Sequence, residues 1–363
     1  MIALETIKKK SIVDVAGTLG VPLKRLSSTL YEQVEHDSFK IFTNTNTFKW
    51  FSRDIQGDVI DFVQLMAGVS FKEAIHFLDK GDFPEQEIQA LKFEPFRYYL
   101  PENKDFGAAR IYLKTIRHLS DETINTFGRQ GLLVQGKWQS DNKTEPVLVF
   151  KSIDHHGRLV GASLQGIEED PDRYKRGRLK KIMKGSHGYA GISLTIGNPK
   201  RLVFAESVID LMSYYECQKE NLTDVRLVSM EGLKKSVIAY HVIRLVSEEK
   251  GDFSFLDELD KGRLIHYLDV ILQTTRYIQN HDQFLTLAVD NDEAGRDFIE
   301  KLRDQGFPLE QDLPSLYLLD GKADWNEELI RRKLEPNLDD WLCQFYEESR
   351  QTSYSSQSLA LDL

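Results

Sequence analysis

Two apolar runs that stop abruptly on carboxylates constrain this chain most. Arg201-Leu-Val-Phe-Ala-Glu206-Ser-Val-Ile-Asp210 is the first, and Phe284-Leu-Thr-Leu-Ala-Val-Asp290-Asn-Asp292-Glu-Ala-Gly295 repeats its form. A continuous apolar run this short reads as a strand buried on both faces, and a helical pattern follows each one. Strands and helices alternating in this way build a parallel sheet, whose ligands bind outside the carboxyl ends of the strands. Acids gathered there repel one another unless a cation is present. Hard divalent cations take oxygen ligands, and phosphoryl chemistry uses them in such arrangements. The pattern implies a metal-dependent enzyme acting on nucleotides or nucleic acid. Taken singly, each acid has a plainer reading. Asp290-Asn-Asp292 also fits a turn with a helix N-cap, Glu206 also fits a cap, and Asp210 a solvated helical acid. Gly295 lets the following helix approach the sheet under either reading.

With 363 residues the chain is expected to hold two or three domains. Residues 1–80 read as a small α+β unit: a helix from Ser11, strands at 38–42 and 47–51, a helix after Gly57-Asp58, and a capping box at Ser70–Glu73 opening another. Residues 81–105 are polar and Pro-containing and read as a linker. Residues 106–198 form an α+β subdomain with a hairpin around Asp154-His155-His156-Gly157 and a dense basic run. Residues 199–335 carry the strand–helix alternation, with strands at 201–205, 225–230, 284–289 and 315–319 and a helical insertion at about 236–282. Residues 336–363 read as a C-terminal helix and a polar, disordered tail. Cys217 and Cys343 are the only cysteines, far apart, which suits a reducing compartment. The N-terminus lacks the apolar core of a signal peptide, and no stretch nears the roughly 20 apolar residues that span a bilayer. The chain is expected to be cytoplasmic, with no membrane partner.

The C-terminal block resembles the Toprim domain of bacterial primases, topoisomerases and some nucleases. That signature is a Glu after one strand and Asp-x-Asp after a later one, matched by Glu206 and by Asp290-Asn291-Asp292, with Ala294-Gly295 following as in the primase-like branch. Asp210 matches an acid one helical turn on. Lys322-Ala-Asp324-Trp-Asn326 is similar to a late acidic element of that branch. Ser207 stands where a Gly is usual, a variant associated with mobile elements. Val13 to Leu78 is similar to the zinc-binding module of bacterial primases: Gly57-Asp58-Val-Ile-Asp-Phe62 is intact, but the cysteines are gone. Trp50 and Arg53 take the places of the second pair, and only His36 lies near the first. The resemblance therefore implies the module's fold without zinc. The fold class expected is α/β: a C-terminal Toprim-like parallel sheet with helices on both faces, preceded by α+β primase-like modules.

The resemblance further implies a primase-like nucleotidyltransferase of plasmids or conjugative elements, using Mg²⁺ or Mn²⁺. Asp290 and Asp292 would hold the metal, with Glu206 as ligand or acid–base group and Asp210 and Asp324 in support. Its partners would be single-stranded DNA, nucleoside triphosphates, and a helicase or relaxase of the same element. A metal-dependent nuclease and a non-catalytic DNA-binding accessory protein are the alternatives. A net charge of -10 excludes coating nucleic acid by bulk charge. Yet Arg173, Lys175, Arg176, Arg178, Lys180, Lys181 and Lys184 fall within twelve positions, with Tyr174 among them as a candidate stacking surface for a base. Clustering against the overall sign favours a phosphate-binding surface over a merely solvated loop. His155 and His156, in a turn, are expected to face solvent rather than to be ligands, and His36 to be structural; with two distant cysteines, no stoichiometric zinc is expected in the chain.

Overall fold

The computed structural model describes residues 4–53, 55–87, 96–140, 143–259, 261–274, 278, 284–315 and 322–334. The chain divides into two compact units, Met1–Glu94 and Pro95–Leu363.

In the first unit, helices α1 (Leu4–Lys8) and α2 (Ile12–Thr18) precede strands β1 (Leu23–Arg25), β2 (Leu30–Gln33), β3 (Phe39–Phe42), β4 (Thr47–Trp50) and β5 (Ile55–Gly57). Helices α3 (Val59–Ala67) and α4 (Phe71–Lys80) follow. The strands form one antiparallel sheet in sequential order. Both α3 and α4 open with complete capping boxes, from Asp58 with Asp61 and from Ser70 with Glu73, which satisfy backbone donors that the first turn leaves free. Phe39, Phe48 and Phe62 meet in the core at centroid separations of 5.2 to 6.1 Å. Where the resemblance would put zinc ligands, side chains stack instead. The Arg53 guanidinium lies 3.8 Å over the Trp50 ring, and the His36 ring sits 5.1 Å from the same indole. Phe83, from the stretch read as linker, is buried in this core.

The second unit begins with α5 (Gly107–Thr115) and α6 (Asp121–Arg129), the latter capped by Ser120. Strands β6 (Leu133–Ser140), β7 (Lys143–Ile153), β8 (Leu159–Gly166) and β9 (Lys180–Ile182) form an antiparallel sheet in that order. Then come β10 (Ile192–Ile196), β11 (Arg201–Ala205), α7 (Val208–Gln218), β12 (Val225–Ser229), α8 (Lys235–Lys250), α9 (Ser254–Glu258), α10 (Leu264–Thr274), β13 (Leu285–Ala288), α11 (Glu293–Asp304), β14 (Glu310–Gln311) and α12 (Trp325–Leu334). The second sheet runs β10-β12-β11-β13-β14. Its pairs are parallel except for β10, an antiparallel edge that the sequence pattern did not announce.

Side-chain alternation explains why this sheet is covered twice. Val203, Ala205 and Leu227 point to a cluster shared with α5, α6, α7 and α12, while Leu202, Phe204, Val228, Leu285 and Leu287 point to one shared with α8, α10 and α11. The expected helical insertion is α8 to α10. Residues 316–319 of the expected strand at 315–319, and the tail from 335, lie outside the described residues; β14 provides the edge beside β13.

Candidate functional site

The acids converge because β11 and β13 are neighbours in register, Ala205 opposite Ala288, and both run the same way. Their carboxyl tips therefore deliver Glu206 and Asp290 side by side. Three local devices hold the tips. Ser207 caps α7: its Oγ accepts the Asp210 N–H at 3.3 Å and donates to Asp210 Oδ2 at 2.5 Å. Asp292 caps α11, accepting the Gly295 N–H at 2.8 Å. Gly295 itself cannot be replaced cheaply, since a Cβ there would lie 2.1 Å from the Asp290 carbonyl oxygen. The capping reading of Asp292 is met, and the cap engages only its Oδ1.

Asn291 ties in the fifth acid. Its N–H donates to the Ala323 carbonyl at 2.8 Å and its Nδ2 to the Pro314 carbonyl at 2.9 Å. Asp324 accepts the Glu327 N–H at 2.7 Å at the start of α12. That helix is anchored by Trp325, edge-on to Tyr214 at 4.8 Å, and by buried Asn326, which donates to the Arg117 carbonyl and to Ser213 Oγ.

The electrostatics are those of a crowded, half-dry acid cluster. Burial, then Asp210, Glu206, Asp324 and Asp292, push the Asp290 carboxyl up to about 9, and its Oδ1 is buried without a hydrogen-bond partner. Burial, then Asp210 and Asp292, push Glu206 up to about 7. Burial and Asp324 push Asp210 up to about 6, against the Ser207 hydroxyl. Lys180 pulls down both Glu206 and Asp210, Arg176 pulls down Glu206, and Arg117 pulls down Asp210. The basic run therefore faces the acids. An all-oxygen donor set with an unpartnered carboxylate oxygen fits a hard divalent cation. Among the described residues, no three of these carboxylates bring oxygens within 4.8 Å of one another, so closing them on one cation requires side-chain rotation.

The basic run splits in two. Arg173 donates to the Ser140 carbonyl and hydroxyl at 3.0 and 2.6 Å, and Arg178 donates to the Ile167 carbonyl while its guanidinium lies 5.2 Å over the Tyr112 ring. These two arginines shape the loop. Lys175, Arg176, Lys180, Lys181 and Lys184 are exposed, with Lys181 Nζ 5.0 Å over the Trp138 ring. Tyr174 is half-buried: it packs against the cluster that holds Val147 and Val149, and its hydroxyl donates to buried Glu145. His155, expected in solvent, is a correction. Its side chain is only 3% exposed, held by Tyr240 and Asp257.

Sequence reasoning missed two groups. Glu231 follows β12, adjacent to β11, with a left-handed backbone (φ 54°) and a buried, unpartnered Oε1; the Gly232 N–H donates to the Glu206 carbonyl. One acid after a strand is too weak a signal alone, though Ser229-Met-Glu-Gly232 repeats the strand-then-acid form. Arg117 was missed because its proximity to Asp210 is purely tertiary.

No family model matches the chain. A solved structure similar to it is the primase fragment of the bacteriophage T7 primase-helicase, at 15% identity and a TM-score of 0.37, covering 85% of this chain and 93% of that one. A DNA primase from Deinococcus radiodurans is 25% identical over 223 residues, 49% of this chain and 38% of that primase. An uncharacterized Bacillus anthracis protein, pXO2-78, is 31% identical over 341 residues, 90% of this chain and 89% of the other. With identity at that level sustained along nearly the whole of both chains, the protein belongs to the family of pXO2-78.

Proposed function

We propose that the protein is a primase-like, Toprim-type nucleotidyltransferase that joins nucleotides on single-stranded DNA with Mg²⁺ or Mn²⁺. The observation that carries this reading is Asp290: a buried carboxyl with a bare Oδ1, ringed by four other acids at the tips of parallel strands and faced by Lys180 and Arg176. Similarity to a DNA primase along 49% of the chain supports the same class. Asp290 and Asp292 would hold the cation, with Asp210 and Asp324 behind them. When bound, the cation offsets the carboxylate charge and stabilises charge on the phosphoryl group in transfer.

The chain's own residues do the rest. Burial, Asp210 and Asp292 raise the Glu206 carboxyl to about 7 in the metal-free site; a cation beside it would favour the carboxylate, the form that serves as a general base for an attacking hydroxyl. Lys180, Lys181 and Lys184 bind the template backbone or the triphosphate, as exposed cations beside an acidic site can. The test incubates the protein with single-stranded DNA, labelled nucleoside triphosphates and Mg²⁺ or Mn²⁺. Short labelled oligonucleotides made by the wild type and not by Asp290→Asn are expected. Cleavage of the DNA without synthesis, or synthesis undiminished in the variant, overturns the reading.

A further inference from the structure

A second constellation lies away from the acid cluster, where the β7–β8 turn meets α9. His155 Nε2 and His156 Nε2 lie 2.8 and 2.7 Å from the same oxygen, Oδ1 of Asp257. Among the described residues this is the group of three potential ligands whose donor atoms all fall within 4.8 Å of one another. From these atoms the geometry points to a binding site for a divalent transition ion of the zinc class, clasping the β7–β8 turn to the helical insertion.

Neighbouring residues on a strand point to opposite faces, so two adjacent imidazoles converging on one atom need a turn built for it. Asp154 builds that turn. Its Oδ1 accepts the His156 and Arg158 N–H groups, each at 2.9 Å, and its Oδ2 accepts Arg158 Nε at 2.8 Å. The two rings end 4.2 Å apart. His155 is then walled in by Phe253, at 5.3 Å between centroids, and by Tyr240, whose hydroxyl accepts the His155 backbone N–H and lies 3.0 Å from Nδ1. A polar partner on the second ring nitrogen is what orients a metal-binding histidine: with Nδ1–H donated to Tyr240, the Nε2 lone pair faces Asp257.

The donor set decides the class of ion. Two imidazole nitrogens and one carboxylate oxygen suit zinc-like ions, whereas Mg²⁺ prefers the oxygen-only cluster of Asp290. Bonds of about 2.0–2.1 Å in a tetrahedron separate ligand atoms by about 3.3 Å, so the present hydrogen-bonded spacing must open by roughly half an ångström. His156 and Asp257 have that freedom, at 39% and 42% side-chain exposure, and the open side leaves the fourth position to water. The expectation of a zinc-free chain rested on the spacing of thiolates, and does not reach a site made from imidazoles. The rival arrangement is a metal-free pin, both rings donating Nε2–H to Asp257. It needs either the other neutral His155 tautomer, with Nδ1 accepting the Tyr240 O–H, or a protonated ring that donates from both nitrogens.

Titration of the full-length protein with Zn²⁺ against a chromophoric chelator, in saturating Mg²⁺, separates these cases. One equivalent is expected in the wild type and in Asp290→Asn, and none in His156→Ala or Asp257→Ala. Tyr240→Phe should bind roughly tenfold more weakly, as loss of an orienting partner does. Zn²⁺ should raise the thermal midpoint of the wild type and leave His156→Ala unmoved. No uptake by the wild type, uptake retained in both surface variants, or uptake lost in Asp290→Asn each overturns the site.

Discussion

Replacing Asp290 with Asn should stabilise the metal-free protein, and by more at neutral than at acid pH. In the fold the Asp290 carboxyl is raised to about 9 by burial and by four neighbouring acids, from an ordinary value of 3.8. The sign follows from proton uptake. Below about pH 4 folded and unfolded chains both carry the proton, so the group contributes nothing. Between 3.8 and about 9 the folded chain holds a proton that the unfolded chain has released, so stability falls as pH rises. The slope for one such group is about 1.4 kcal/mol per pH unit, hence up to about 3 kcal/mol between pH 5 and 7. Asparagine keeps the shape and does not titrate. At about 2–4 °C per kcal/mol for domains of this size, the variant's midpoint should gain roughly 5–10 °C on the wild type between those two pH values.

Thermal denaturation of both proteins in EDTA at pH 5 and pH 7 measures this. Any constant penalty of the amide cancels in the comparison, because only the change with pH is read. Adding Mn²⁺ at pH 7 should then raise the wild-type midpoint and not that of the variant. A gap between the two proteins that is the same at both pH values would refute the claim that Asp290 is a frustrated acid.

The same reasoning extends to other positions. Gly295→Ala drives a methyl to 2.1 Å from the Asp290 carbonyl oxygen, so α11 must shift; a loss of several kcal/mol in urea denaturation, with loss of metal-dependent activity, is expected. Replacing Lys180, Lys181 and Lys184 with Ala should weaken single-strand binding and flatten its salt dependence by about 0.7 per lost phosphate contact, with little change in melting. Arg178→Ala should instead lower the melting temperature, since that side chain holds the Ile167 carbonyl and covers Tyr112. Trp50→Ala removes the surface against which Arg53 and His36 stack, and should cost the first unit about 3–5 kcal/mol by chemical denaturation.

Much of this was legible in the sequence wherever the signal was local. The runs before Glu206 and Asp290 are short and apolar, with helices after them as expected; Asp292 caps α11, but α7 is capped by Ser207 and not by Glu206, the cap that the sequence suggested. Ser70 with Glu73, and Ser120, likewise fixed helix starts. Strands β1 and β2 escaped because they are thin, half-exposed and mostly polar, with little alternation to read. Strand β10 escaped because its place at the edge is set by pairing with β12, not by its own composition. Arg173 and Arg178 look like their exposed neighbours in sequence, and only the carbonyls at Ser140 and Ile167 turn them inward. His155 was read as solvated because its partner, Asp257, comes 102 residues later.

The acid cluster and the basic loop belong to one electrostatic arrangement. Glu206 is raised by Asp210 and Asp292 and lowered by Lys180 and Arg176, yet it ends well above an ordinary glutamate, so the local cations do not neutralise the acids. A structural ion-pair network would have given each acid a cation, as Glu248 has: both of its oxygens lie 2.9 Å from Arg226 Nη2, and Oε1 also lies 2.8 Å from Arg244 Nε. Here the cations stay exposed and the acids stay under-compensated, with Asp290 Oδ1 left bare. Perturbed acids in such a setting mark functional sites more often than structural ones. Stability is given up at the tips of β11 and β13, where burial and four neighbouring acids hold the Asp290 carboxyl far above its ordinary value.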